Sequence, residues 1–386
     1  MYYVTVMQSP MYHQITLDEF LFGDKKQCSM ISSNTANTRT YSMERISDKL
    51  YMKTDVIKML SMIKNFNNAY AYLRDVEDRH SLYYEFYIPK KSGGLRKIDA
   101  PEEDLMGALR TLKAIFEEGF YNKDIRNALY HTSAFAYVKN RSTLDAVKRH
   151  QNNESKWYGK LDFSNFFGST TLDFTMSQFK KVYPFCVLCE TKEGEEELRK
   201  ALELAFLDGG LPQGTPISPL ITNIIMIPID HVLANGFRNF ENQNYVYTRY
   251  ADDMIISSRY DFDINQVIGY IDGVLKEFDA PFRIKPEKTR YGSSAGRNWN
   301  LGLMVTADNK ITIGSKKKRQ FEAMLSSFVL DTQNGKRWPY KDIQVLDGYR
   351  NYYKSVEGEV IDRIIEHIGN KYNVNIPRLI KDQLAV

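Results

Sequence analysis

The spacing of apolar positions changes several times along the chain, and each change marks an element. Over Thr54 to Arg74, the residues Val56, Ile57, Leu60, Ile63, Phe66 and Tyr70 recur at helical spacing, with Thr54 placed as an N-cap. From Tyr83 the period drops to two. YYEFYIP alternates as a strand, Ser92-Gly93-Gly94 supplies a turn, and Leu95 to Ile98 returns as the partner. Glu102 to Phe120 reads as a helix, and His131 to His150 as a short strand followed by a basic helix starting near Ser142. WYGKL leads as a strand into Asp162, and Leu198 to Phe206 is helical. GGLPQGTPISPLITNIIM, Gly209 to Met226, opens as an irregular loop and becomes an apolar helix from Ser218, with Pro219 tolerated in its first turn.

Tyr245 to Ser258, YVYTRYADDMIISS, sets two runs of β-forming residues around Asp252-Asp253 and predicts strand, tight turn, strand. Phe262 to Phe278 returns to amphipathic helix, and Phe282 to Ser294 is strand-like. Trp299 to Ile313 reads as a hairpin turning at Asp308-Asn309, and mostly helical sequence follows, first basic and then rich in aromatics. At the N-terminus YYVTV is β-like, Leu17 to Phe22 suits a helix, and MISSNTANTRTYS reads as a loop or linker.

Composition narrows this only a little. A chain of 386 residues, 43% hydrophobic and 26% charged, has room for two or three domains or one multi-lobed enzyme. A net charge of +4 permits nucleic-acid binding without requiring it, and 26 Tyr and 21 Phe include rings able to stack on bases. No apolar run approaches the ~18 residues of a membrane span, and the N-terminus lacks a signal-peptide pattern. The expectation is a cytoplasmic protein with no membrane partner. Three cysteines fit a reducing compartment; Cys186 and Cys189 form one CxxC without a second pair, which argues against zinc.

The chemistry concentrates in a few stretches. Adjacent residues in a strand point to opposite faces, so Asp252 and Asp253 can share a target only because they sit at a turn. Two carboxylates on a rigid hairpin are half of a divalent-cation site, and their oxygens suit Mg²⁺; the alternative is a solvated Asp-Asp turn. Asp162, at a strand end in KLDFSNFFGSTT, supplies a carboxylate from a second element. Lys90, Lys91, Arg96 and Lys97 flank the Gly-Gly turn, either as a solvated edge or as a clamp on a triphosphate. Gln213 stands between Pro212 and Gly214, presented by a constrained backbone, and Lys148 and Arg149 suit a nucleic-acid backbone or plain solvation.

Taken in order, KKSGGLRK, KLDFSNFF, LPQGTPISP, YADD and the GLMV hairpin resemble the fingers hairpin, first palm motif, template-side motif, Y-x-D-D signature and primer grip of reverse transcriptases. The resemblance implies an α+β right-hand polymerase fold: an extension over 1–50, fingers over 51–155, a palm with an antiparallel sheet and helices on one face, and with part of the fingers inserted, over 156–298, and a primer-grip hairpin with helical thumb over 299–386. It implies two Mg²⁺ ions, with Mn²⁺ as a substitute, on Asp162, Asp252 and Asp253 with the Phe163 backbone carbonyl. It places Lys90, Lys91, Arg96, Gln213 and Lys288 at the nucleotide, and Phe167 as the ring that excludes a ribose 2′-hydroxyl. Arg149, Lys316, Lys317, Lys318 and Arg319 would grip nucleic acid.

Within the family the sequence is similar to compact bacterial enzymes of retron-like, group II intron-like and defence-associated kinds, which points to dNTPs, a structured non-coding RNA template and a DNA product. Asn300-Leu301-Gly302 departs from the Val-Thr-Gly triplet of retron enzymes, and no length follows the thumb for an RNase H or endonuclease domain. Alternatives are protein-primed or untemplated DNA synthesis, a viral-type RNA-dependent RNA polymerase, and a maturase-like RNA-binding protein whose site is idle.

Overall fold

The computed structural model describes residues 3–8, 11–16, 56–90, 93–120, 130–240, 244–294 and 301–385. Strands β1 (Tyr3–Gln8) and β2 (Met11–Thr16) pair antiparallel as a separate hairpin. The helix expected over Leu17 to Phe22 and the Ser/Thr/Asn-rich stretch lie outside the described residues. Helix α1 covers 56–69, and β3 (Tyr83–Pro89) pairs with β4 (Leu95–Pro101) as the alternation and the Gly-Gly turn predict. Gly93 and Gly94 both take positive φ, +88° and +78°, which a side chain would resist.

Helix α2 (Glu103–Phe120) opens with Glu103 and Asp104, which favour the positive end of the helix dipole. Leu105, Ala108, Leu109, Leu112 and Phe116 are fully buried, one stripe at helical spacing.

The strand expected after His131 reduces to a single bridge at Ala134, because Tyr137 and Asn140 take left-handed backbone and end any extended run. The basic helix is present as α3 (Thr143–Asn152), capped by Ser142 in a capping box with Asp145. Its Ala146, Val147 and His150 point inward, so the helix packs on the protein through one face.

β5 (Trp157–Asp162), α4 (Leu172–Phe179), α5 (Lys192–Glu203) and α6 (Ser218–Asn239) follow. The helix expected at Leu198 thus starts six residues earlier, where Thr191 caps it. Helix α6 is long and apolar enough by composition to cross a membrane, but 78% of that window is buried inside the protein, which makes it a core helix. β6 (Val246–Tyr250), β7 (Asp253–Ser258), α7 (Ile264–Glu277) and β8 (Arg290–Ser293) complete the central unit.

β6, β7, β5 and β8 form one antiparallel sheet in that order. Alternation gives the sheet two chemically different faces. Leu161, Met254, Ile256 and Tyr247 face the main core, which α2, α4, α5, α6 and α7 also line. Tyr158, Lys160, Asp162, Asp253, Ile255 and Ser257 share the opposite face. Helices were expected on one face only. Instead α3 covers part of the second face, where His150 hydrogen-bonds Thr248 and Ser257.

The C-terminal part opens with a two-residue-strand hairpin, β9 (Met304–Val305) and β10 (Ile311–Thr312), turning through Asn309 at φ +59°. Helices α8 (Ser315–Gln333), α9 (Tyr340–Tyr372) and α10 (Ile376–Leu384) follow. They build a second core around Leu303, Phe321, Leu325, Phe328, Ile343 and Ile361, to which α3 contributes Val147. Gln151 and Asn309 bond each other's backbone carbonyls at 2.7 and 3.0 Å, so α3 also ties the hairpin to the sheet.

Candidate active site

The acidic turn forms because Tyr250 and Asp253 pair across β6 and β7, leaving Ala251 and Asp252 as a two-residue loop. Ala251 takes φ +57°, the positive value that lets a short turn follow the twist of its strands. In the neighbouring strand Asp162 lies opposite Asp253, and the Phe163 amide donates to the Asp252 carbonyl at 3.1 Å. Three carboxylates therefore meet at one end of the sheet. The Phe163 ring is fully buried and stacks on Phe166 at 5.5 Å, so only its main chain faces the turn.

Lysines hold two of the three carboxylates. Lys288 Nζ donates to both oxygens of Asp162, at 3.0 and 2.8 Å, with Lys285 Nζ at 3.7 Å, and Lys160 Nζ donates to Asp253 at 2.8 Å. The Asp162 hydrogen bond raises the Lys288 pKa against partial burial. Asp252 has its pKa raised by burial first, then by the charge of Asp162, with Asp253 adding to it. Among the described residues no three acidic, His or Cys side chains stand in ready ligating geometry. The donor chemistry nevertheless fits a hard divalent cation: three carboxylates crowd one corner, and like charge and burial disfavour ionisation of Asp252 unless a cation is near.

Phe167 is half-buried on a short helical turn, Phe166–Ser169, and its carbonyl accepts from the Leu211 amide at 3.0 Å. That bond docks the first acidic motif onto the LPQG loop. Gly210 lies so close to Gly168 that a Cβ would stand 2.2 Å from the Gly168 carbonyl oxygen. On the other side of the loop the Gln213 carbonyl accepts from the Asp99 amide of β4 at 2.8 Å. Gly214, at φ +127°, has no room for a side chain against Ile98 and the Asp99 carbonyl. The fingers hairpin, the Gln213 loop and Phe167 are thus joined by backbone contacts.

Lys90 and Arg96 are exposed on that hairpin, while Lys97 bridges Glu85 and Asp99 at 2.7 and 3.1 Å. Lys91 lies outside the described residues. The residues expected at nucleic acid divide. Lys316 and Arg319 are exposed, but Lys317 donates to the Gly302 carbonyl and Lys318 pairs with Glu357 at 2.6 Å, which makes both internal ties of the C-terminal unit. Arg149 is exposed, at the opposite end of β6 from the acidic turn, and lines a pocket of about 310 Å³ with Thr132, Asn153, Arg238 and Tyr247.

Sequence reasoning missed Lys160 and the buried Arg249–Asp230 pair behind the turn. Lys160 was findable, since it stands two residues before Asp162 and strand alternation puts both on one face. A lone Asp230 within the apolar run IIMIPIDHVL is likewise a signal that a cation must meet it.

An antiparallel sheet that gathers carboxylates at its end, beside a glycine-turned basic hairpin and a docked Gln213 loop, defines a nucleotidyltransferase palm. The reverse transcriptase (RNA-dependent DNA polymerase) family matches residues 88–323, more than half of the chain, and this protein belongs to that family. It is 28% identical over 279 residues to the retron Ec73 reverse transcriptase of Escherichia coli, covering 70% of this chain and 82% of that one. It is 27% identical over 313 residues to the retron Ec83 reverse transcriptase of the same organism, covering 76% and 89%. A Myxococcus xanthus relative, the retron Mx162 reverse transcriptase, is 26% identical over 284 residues, covering 69% of this chain and 56% of its own. The departure at Asn300-Leu301-Gly302 does not remove that likeness; the chain is a bacterial, retron-like reverse transcriptase. Its activity is RNA-directed DNA synthesis, with an RNA template and a DNA product, in a family that uses divalent metal ions.

Proposed function

We propose that Asp162 and Asp252, supported by Asp253 and the Phe163 carbonyl, hold two Mg²⁺ ions, with Mn²⁺ as a substitute, and that this site joins dNTPs to a primer on a cognate structured RNA. The observation that carries this is the register of the sheet, in which Asp162 faces Asp253 while the Phe163 amide bonds the Asp252 carbonyl. When bound, the ions supply charge neutralisation at the triphosphate and acidify the primer hydroxyl. Lys90, Lys91 and Arg96 would bind the phosphates, and Gln213 would line the nucleotide pocket. Lys288, which donates to Asp162, would give a proton to departing pyrophosphate. Phe167 would exclude the ribose 2′-hydroxyl by bulk.

Residues 51–155 act in this reading as fingers, 156–298 as palm and 299–386 as grip and thumb, after an N-terminal extension over 1–50. Lys316, Arg319 and Arg149 are the candidates for nucleic-acid contact. The named relatives are retron enzymes of Escherichia coli and Myxococcus xanthus; our reading adds a structured non-coding RNA as template, a cytoplasmic setting and a role in defence against phage. Single-nucleotide addition on an RNA template decides the assignments. Asp252→Ala should abolish incorporation while leaving the fold intact, and Phe167→Ala should admit ribonucleotides. Unchanged discrimination between dNTP and NTP in Phe167→Ala would remove the steric-gate role.

A further inference from the structure

Residues 130–141 adopt almost no regular structure, yet they are anchored on several sides. The Arg249 amide donates to the Ser133 carbonyl at 2.7 Å, and the Phe135 amide donates to the Arg249 carbonyl at 2.9 Å. The Arg141 guanidinium donates to the carbonyls of His131 and Ala134, each at 2.6 Å. Asn223 of α6 donates to the Ala136 carbonyl at 2.8 Å. Ser133, Ala134, Phe135, Ala136 and Val138 are all buried.

Tyr137 breaks the pattern. The residue is 59% exposed and its backbone is left-handed at φ +58°. A bulky residue is an outlier in that conformation, and an exposed ring gains little from the core, so nothing in packing alone accounts for it. The anchors fix where it emerges. Arg249 lies three residues before Asp252 in β6, and Asn223 belongs to the helix that follows the Gln213 loop. Burial first, and then the charges of Asp252, Tyr250 and Arg96 of the fingers hairpin, act on the phenol. Asp252, Arg96 and the Gln213 loop are the groups to which the proposed function assigns the incoming nucleotide.

We propose that Tyr137 is a nucleotide-binding residue whose ring packs against the nascent base pair, a flat platform presented by a pre-built turn. Every base offers a π-face, so such a contact serves all four nucleotides alike. The proposal rests on the reading of Asp252 as the catalytic end of the palm.

Steady-state single-nucleotide addition by the full chain, on an RNA template with a DNA primer and Mg²⁺, tests it in Tyr137→Phe, Tyr137→Ala and Tyr137→Gly. Tyr137→Phe should stay within about twofold of the wild type. Tyr137→Ala should raise KM about tenfold for each of the four dNTPs, with kcat less affected and the melting temperature unchanged. Tyr137→Gly should lose the same affinity without any fall in melting temperature, because glycine accepts the left-handed backbone. Losses of activity that only follow losses of melting temperature would reveal a structural residue and overturn the proposal. So would a Tyr137→Ala enzyme with unchanged KM while the wild type copies RNA. A wild-type protein unable to extend the primer would instead overturn the reading of the site itself, and this proposal with it.

Discussion

Arg249 and Asp230 form a fully buried ion pair directly behind the turn that presents Asp252. Arg249 Nη2 lies 2.7 Å from Asp230 Oδ2, and Nε donates to both carboxylate oxygens at 3.0 and 3.1 Å. Nη1 donates to the Ala251 carbonyl at 3.1 Å and to Asn223 at 3.3 Å, while the Tyr247 hydroxyl donates to Asp230 at 2.7 Å. The guanidinium thus holds the one residue of the turn with positive φ.

A buried pair of this kind stabilises little in itself, but removing one partner strands a charge. Asp230→Ala is expected to destabilise the protein by about 3–5 kcal/mol in chemical denaturation. The paired replacement Asp230→Leu with Arg249→Met should recover much of that stability. It should not recover DNA synthesis, because the bond to Ala251 is gone. Restored turnover in the stable double variant would show that the guanidinium does not position the turn.

His150 gives the protein a pH dependence of defined sign. It is completely buried, with Nδ1 2.6 Å from Ser257 Oγ and Nε2 2.7 Å from Thr248 Oγ1, and burial pushes its pKa down to about 3. The unfolded chain would take the proton near pH ~6.5 and the folded chain would not. Stability from this group is therefore whole above ~6.5 and falls as the pH drops toward 3, by about 1.4 kcal/mol per unit. Carboxylates titrate over part of the same range, so the informative quantity is a difference. Between pH 6 and pH 4.5, His150→Gln should lose stability less steeply than the wild type; parallel curves would contradict a neutral buried imidazole.

Much of this was legible because local pattern and tertiary fate agreed. Asp252 stands in a turn because alternating β-formers flank it, although Asp253 already opens β7, and α6 is buried because its sequence is apolar all round. What the sequence hid depends on partners far along the chain. The run Lys316 to Arg319 looks uniformly basic, and only Glu357, more than a helix away, decides that Lys318 turns inward. The charged residues of α3 masked a buried stripe of Ala146, Val147 and His150, since His is read as polar until Ser257 and Thr248 are seen to satisfy it. Tyr137 was lost among 26 tyrosines, because a positive φ and an exposed ring have no signature in residue type.

Lys288 sets a competition at Asp162. A cation arriving at this carboxylate must displace an ammonium that contacts both oxygens, at 3.0 and 2.8 Å. Lys288 is 47% exposed, so solvent screens the pair and its strength is at most about 1 kcal/mol. Lys288→Ala should then tighten Mn²⁺ binding to the protein without substrates by up to about fivefold, read by calorimetry or by the spin resonance of free Mn²⁺. The same variant should incorporate nucleotides more slowly. Weaker Mn²⁺ binding would mean that the lysine organises the carboxylates rather than competing for them.

Glu357 separates the basic residues of α8 into two kinds. It is the one non-helical residue within α9, at φ −137° and ψ 58°, and its carboxylate accepts from Lys318, from the Ile313 amide at 2.8 Å and from the Thr312 hydroxyl at 2.9 Å. The carboxylate offsets the break in the helix by tying β10 and α8 to it. Glu357→Ala leaves a buried amide and a half-buried lysine without this acceptor, an expected loss of about 2–4 kcal/mol that hydrogen exchange should place in residues 301–385. Lys316, exposed two residues before Lys318 in α8, has the opposite character. Lys316→Ala should lower the salt dependence of RNA–DNA duplex binding by nearly one unit of slope and leave the melting temperature unchanged. Lys318→Ala should lower the melting temperature and leave the slope unchanged. A salt slope that falls equally in both variants would return Lys318 to the nucleic-acid surface.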